Sequence, residues 1–320
     1  MNEYGNFIRR ADLIKNLIER EKLAEETAKP NKALIDANKQ RWIKYQELLR
    51  HRITAEVAAA NSVGGLVNPS FLFGNSEKGV WFDISDMSTL FTDAAGTIPV
   101  TASGATVGKI LDKSGNGFHA TQSIAANRPT YLIDPYGYPY LSFDGTNDFM
   151  VTAPINFTGT AQMHAAIGLL VDPTKVTAGV PLELSAGVES NAGSFAISAP
   201  SSTADHAFSL RGSSASAVVA RVANIVSGDD ILTGLFDISQ ATKELEITPR
   251  LSGQIQTNVT WSGATSAGTG NFGNYSLYIG ARGGSSVFFK GHIYQIIVRG
   301  YASTNNYVDK VESWINSKLD

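Results

Sequence analysis

Gly-Val-Trp-Phe-Asp (79–83), Asp-Lys-Ser-Gly-Asn-Gly (112–117), Ala-Thr-Gln (120–122), Arg-Pro-Thr (128–130) and Tyr-Leu-Ser-Phe-Asp-Gly-Thr-Asn-Asp-Phe (140–149) follow one another along this chain. Short apolar runs alternate with clusters of Gly, Asn, Asp and Ser. Glycine reaches positive φ without steric cost, and the short polar side chains bond their own backbone, so such clusters are turns. The rhythm predicts strands joined by tight turns.

The same rhythm runs on towards the carboxyl end. Candidate strands include 80–84, 131–133, 140–143, 150–152, 163–171, 181–185, 194–198, 207–211 and 217–222. Further ones are 231–238, 244–249, 254–260, 275–281 and 287–299, and 305–318 reads as a terminal helix. In that helix Val308, Val311, Trp314 and Ile315 recur at helical spacing, so they should pin it to the sheets. Many strands without alternating helices argue for two packed antiparallel sheets, not a βαβ fold.

Four of these elements carry a resemblance: Trp-x-Asp-x-Ser-Asp (81–86), Asp-x-Ser-Gly-Asn-Gly (112–117), Arg-Pro-Thr (128–130) and Phe-Asp-Gly-x-x-Asp (143–148). With their spacing, residues 79–320 resemble the laminin-G/concanavalin-A-like lectin domains of bacteriophage virion proteins. The tail, 275–282 and 288–298 before the terminal helix, agrees with it. The resemblance implies a mainly β protein, an antiparallel jelly-roll β-sandwich over 80–320. It also implies a place on the exposed surface of a virion, as a tail fibre or decoration. It does not by itself assign a function, since this fold hosts lectins, hydrolases and inert scaffolds.

Residues 1–60 are a different sequence. They hold one of the 30 glycines (Gly5), one of the 11 prolines (Pro30) and 12 of the 26 Lys and Arg residues. Such a shift marks a domain boundary. Two long helices are expected, broken near Pro30, with Ile14 and Leu17 on the first seam and Ile35, Trp42, Tyr45, Leu49, Ile53 and Val57 on the second. A narrow apolar seam on a long charged helix needs a partner: the other helix of a hairpin, or the same helix in further subunits. These seam residues are the candidates for oligomerisation and attachment. Residues 61–79 read as the link, with Gly64-Gly65 ending the helix, while Phe71, Leu72 and Phe73 are too apolar to be free.

Composition excludes several classes. A net charge of −3 makes no call for nucleic acid. The absence of cysteine rules out disulfides and Cys-ligated zinc. No apolar run approaches the roughly 20 residues of a membrane span, and the first residues hold no apolar signal core, so export by a cleavable leader is not expected.

Chemistry finds little purchase. Hydrolases that share the jelly roll carry Glu-x-Asp-x-x-Glu on one strand face, and that string is missing here. Glu244 and Glu246 would share a face of the expected strand, but Pro249 and Arg250 follow. The five histidines are scattered, and there is no Gly-x-Ser-x-Gly elbow. Asp112, Ser114 and Asn116 space oxygen ligands as a calcium loop begins, yet Ser123 stands where a calcium hand needs Glu. Asp144, Asn147 and Asp148 form a second oxygen cluster. No cofactor is expected, and calcium is the one ion these spacings would suit.

Glycan binding asks for an exposed aromatic beside amides and carboxylates. Trp261 and Tyr275 lie near Asn258, Asn271 and Asn274, and Tyr136 and Tyr138 make a second aromatic loop. The reading is therefore a non-enzymatic virion component: a homotrimer bound to other virion proteins through 1–60 and displaying the sandwich. The alternative is a receptor-recognition protein for host-surface glycan, with a polysaccharide-degrading enzyme behind both.

Overall fold

The computed structural model describes residues 67–175, 177–201, 205–223 and 229–319. The helices expected over 1–60, their seam residues Ile14, Leu17, Ile35, Trp42, Tyr45, Leu49, Ile53 and Val57, and the Gly64-Gly65 break lie outside the described residues.

In chain order the strands are β1 (Gly79–Asp83), β2 (Leu90–Phe91), β3 (Lys109–Ile110), β4 (Ala120–Thr121), β5 (Thr130–Ile133), β6 (Pro139–Asp144) and β7 (Met150–Thr152). There follow β8 (Ile155–Asn156), β9 (Gln162–Val171), β10 (Leu182–Leu184), β11 (Ser194–Ser198), β12 (Asp205–Arg211), β13 (Val218–Ala223) and β14 (Asp229–Asp237). The last are β15 (Ile247–Leu251), β16 (Gln254–Ile255), β17 (Val259–Gly263), β18 (Asn274–Tyr275), β19 (Leu277–Ile279) and β20 (Lys290–Arg299). Among the described residues two α-helices accompany them, α1 (Lys243–Glu246) and α2 (Asn305–Asn316).

The protein is mainly β and its sheets are antiparallel. One sheet runs β16-β15-β14-β9-β20-β6-β5, with β1 also paired to β20. The other runs β17-β13-β12-β11-β10-β19-β7-β4-β3-β2, and β8 pairs β18 apart from both. Alternate residues of each sheet meet in one core. Phe82, Phe143, Ile167, Phe236 and Ile296 come from the first sheet, Leu182, Phe195, Phe208 and Ile279 from the second. Each fully buried side chain of this size contributes about 1.5–3 kcal/mol.

The first sheet is covered on its outer face as well. Trp81, Ala166, Tyr294 and Ile297 point away from the main core and meet Val311 and Ile315 of α2, with Leu72 and Phe73 from the turn at Pro69–Phe73. This is why β9 reads as a nearly unbroken apolar run: both of its faces are buried. Gly168 sits under the helix, where an added Cβ would lie 2.5 Å from Ile315 Cγ2. Trp314 meets Trp81 edge-on at 5.8 Å. The buried carboxylate of Glu312 takes both a 2.9 Å and a 2.7 Å bond from Arg250 of β15.

Three strand expectations are corrected: 275–281 divides into β18 and β19, which belong to different sheets, and two others change as well. Residues 244–249 are not one strand: Lys243–Glu246 make a single helical turn before β15. Glu244 and Glu246 therefore share no strand face. Glu246 is buried and accepts bonds from Ser266 Oγ and the Ala267 N–H, so it ties down a loop. Residues 254–260 divide into β16 and β17, which belong to different sheets.

Candidate functional site

The loop 112–117 is a staple. Asp112 Oδ1 accepts the N–H groups of Trp81 and Ser114, and Oδ2 accepts Ser114 Oγ and the Phe118 N–H. Asn116 Nδ2 donates to the carbonyls of Glu77 and Gly79. Both carboxylate oxygens thus point at protein donors, and the loop locks β1 in place. Among the described residues no group of three or more His, Asp or Glu side chains is placed to hold a metal ion.

The second oxygen cluster closes the turn between β6 and β7. Asp144 Oδ1 accepts the Thr146 and Asn147 N–H groups, and Asp148 Oδ2 accepts the Asp144 N–H. Burial, with the neighbouring Asp144 charge, pushes the Asp148 pKa up to about 6 against that hydrogen bond. A carboxyl that favours its proton is a poor cation ligand. The sign of the linkage follows. Between the ordinary carboxylate pKa and about 6 the folded chain holds a proton that the unfolded chain has lost. Stability from this group is therefore full in acid and falls as pH rises to about 6. Asp148→Asn should raise the unfolding free energy at pH 7.5 by about 1–3 kcal/mol and leave it nearly unchanged at pH 4. Urea unfolding at the two pH values checks this; equal gains at both would exclude the proton as the cause.

The aromatic candidates occupy separate places. Tyr136 is 74% exposed at the tip of the β5–β6 hairpin. Asp134 Oδ1 accepts the N–H groups of Tyr136 and Tyr138 there, and Tyr138 packs partly against the outer cluster. Trp261 lies on β17, the edge of the second sheet, half-buried against the core. Tyr275 also packs on the core and donates its hydroxyl to the Ala192 carbonyl. Asn274 is exposed and pairs with Asn156 in the β8–β18 ribbon. Trp261 and Asn274, near in sequence, stand on different strand sets.

Asn274 leads to a feature the sequence did not reveal. Neighbouring antiparallel strands bring alternate ends together, so the start of β1, the end of β20, the start of β9 and the end of β14 meet at one end of the first sheet. A cleft of about 530 Å³ opens there. Lys78, Gly300 and Tyr301 line it together with Asn156, Thr160, Gln162, Ser239 and buried Phe157. The Gly300 N–H donates to the Lys78 carbonyl at 2.8 Å. A Cβ on Gly300 would stand 2.4 Å from the Phe157 ring, so only glycine keeps this approach.

Gln162, Ser239 and Asn156 of the cleft are held by hydrogen-bond partners. Asp237 accepts Gln162 Nε2 and Gln240 Nε2 at 2.9 Å each, and its other oxygen takes Ser239 N–H and Oγ. Burial opposes the Asp237 charge, but these bonds hold its pKa below the usual range. Gln162 thereby keeps its Oε1 as an acceptor. Asn156 Oδ1 accepts Thr158 N–H and Oγ1, which leaves Nδ2 as a donor.

Tyr301 is 57% exposed, and its ring lies 5.1 Å from the guanidinium of Arg299. Arg299 is buried and bonded to Glu77 at 2.7 Å, to the Ala302 carbonyl and to Ser303 Oγ. Burial opposes the Glu77 charge; the Arg299 bond and backbone donors outweigh it and lower its pKa. Tyr301 is thus an exposed aromatic ring backed by a fixed cation. Behind it, His164 shares a hydrogen bond with Ser303 Oγ, and burial, then the Arg299 and Arg250 charges, press its pKa down to about 3. It is neutral at ordinary pH. Among the described residues no Asp, Glu or His lines the cleft.

These features define an antiparallel β domain with an amide- and aromatic-lined surface cleft. No protein-family model matches the sequence, and no curated protein is similar to it. Among solved structures, the chain is similar to the botulinum neurotoxin serotype D binding domain, with 7% identity and a TM-score of 0.48 over 74% of this chain and 51% of that one. It is similar also to the botulinum neurotoxin DC binding domain solved with SialylT, with 8% identity and a TM-score of 0.48 over 75% and 52%. The chain spans about half the length of the neurotoxin domains it matches. At that identity and fit the likeness carries no weight on function.

Proposed function

We propose that the β domain is a non-catalytic glycan-binding module and that its sugar sits in the cleft beside Tyr301. The observation that carries this is the exposed Tyr301 ring, backed by Arg299, in a cleft where Asn156 keeps Nδ2 and Gln162 keeps Oε1 for a ligand. A sugar ring offers apolar C–H faces to an aromatic and hydroxyls to amides. Glycoside hydrolysis needs two facing carboxyl groups, and the cleft lining supplies none.

The resemblance of residues 79–320 to phage lectin-like domains supports the wider reading. The domain is a jelly-roll sandwich displayed on a virion surface, and residues 1–60 attach it and assemble it as a homotrimer. Light scattering of the full chain should give three times the 34.1 kDa monomer mass. A monomer would remove the trimer and leave the binding site untouched.

Tyr301→Ala tests the site. Losing the apolar contact of a half-exposed tyrosine should cost about tenfold in affinity on a glycan panel. The urea midpoint should stay in place, because the ring is exposed. Panel binding indifferent to Tyr301, or release of reducing ends from a bound polysaccharide, would overturn the proposal.

A further inference from the structure

We infer that the sugar taken by the cleft bears a carboxylate, a hexuronic or nonulosonic acid, and that Lys78 holds it. This rests on the glycan-binding reading above and goes beyond it in naming the ligand's charge. Lys78 lines the cleft and is exposed. Elsewhere in the domain Arg299 is matched to Glu77, Lys290 to Asp172, and Lys113 to Asp83 and Asp86. Lys78 makes no ion pair or hydrogen bond through its ammonium among the described residues.

The acids near it are already engaged. Glu77, its chain neighbour, is bound to Arg299 at 2.7 Å. Asp237 gives its oxygens to Gln162, Gln240 and Ser239. Neither lines the cleft, so the one formal charge in the lining is positive. An ammonium in a concave wall with no neighbouring carboxylate in its lining attracts an anion more strongly than one on open surface. The residue between Lys78 and Tyr301 in the wall is Gly300, which contributes no side chain. A carboxylate on a ring bound at Tyr301 would find the Lys78 ammonium as a cation lining the same cleft. Asn156 Nδ2 is a second donor at the same opening, and Gln162 Oε1 accepts from a sugar hydroxyl.

The test uses the full-length protein and immobilised oligosaccharides ending in glucuronic acid or in a nonulosonic acid, each beside its carboxyl-reduced counterpart. Binding to at least one acidic member should fall about tenfold or more on carboxyl reduction, and equally with Lys78→Met. It should weaken between 50 and 500 mM salt, roughly as a single screened contact would. Tyr301→Ala should weaken it about tenfold on either member of the pair. If acidic and reduced members bind alike and only Tyr301→Ala matters, the charge assignment is wrong and the sugar site survives. If no member binds, or binding ignores both substitutions, the site itself is wrong.

Discussion

Arg250→Met should lower the unfolding free energy by about 3–5 kcal/mol. Arg250 and Glu312 are each 4% exposed, and their bidentate pair joins β15 to the terminal helix. Arg250 also donates to the Gly253 carbonyl and to Asp309. Removing the guanidinium strands the Glu312 carboxylate away from water with no cation, and that penalty exceeds the value of the pair itself. The double variant Arg250→Met with Glu312→Leu removes both charges and should recover most of the loss. Urea unfolding of the full-length protein, followed by tryptophan fluorescence, reads the effect. Trp81 and Trp314 meet between the helix and the sheet, so the signal reports the same junction. A single-variant loss under about 1 kcal/mol would mean that the pair behaves as a surface ion pair and does not anchor the helix.

Phe236→Ala should cost about 3–5 kcal/mol by the transfer and cavity terms of a fully buried ring. Phe236, 2% exposed on β14 of the first sheet, stacks on Phe195 of β11 in the second at 5.0 Å. The contact therefore spans the sandwich. Gly234 lies under the ring, where a Cβ would be 2.4 Å from Phe236 Cζ, so that neighbouring position offers no side chain to fill the void. In a double-mutant cycle with Phe195→Ala, the aromatic pair should couple by about 0.5–1.5 kcal/mol. Additive losses, or two separate unfolding transitions, would show that the sheets do not form one cooperative core.

Much of the architecture was legible locally. Strand 150–152 and strand 194–198 match the structure at both ends. The apolar spacing of Val308, Val311 and Ile315 identified the buried face of α2. Asp112, Ser114 and Asn116 were recognisable as turn formers because their bonding is to backbone within a few residues of themselves or to the adjoining β1. The calcium-like spacing at that loop came from the same residue types: short oxygen-bearing side chains serve a turn and an ion alike, and only the partners tell them apart.

Other features depended on distant residues. The register shift in β20 between Ile293 and Gln295 resets the alternation, so Ile293, Ile296 and Val298 face the core although a strict period of two would not allow it. Glu246 looked like a strand-face acid until the loop at 266–267 supplied its donors. The residues near Trp261 and Tyr275 are close in sequence, but β17 and β18 belong to different sheets.

From its own order of residues, the chain determined strands, turns, the terminal helix and the compositional break after residue 60, because these follow from spacing, backbone preference and charge over short distances. Only the tertiary structure decided where the cleft lies. Lys78, Asn156 with Gln162, Ser239 and Tyr301 come from four separate stretches, and no local pattern joins them. They meet because antiparallel pairing carries the ends of β1, β9, β14 and β20 to one edge of the sheet, and pairing between strands more than a hundred residues apart is written in the packing of the whole core.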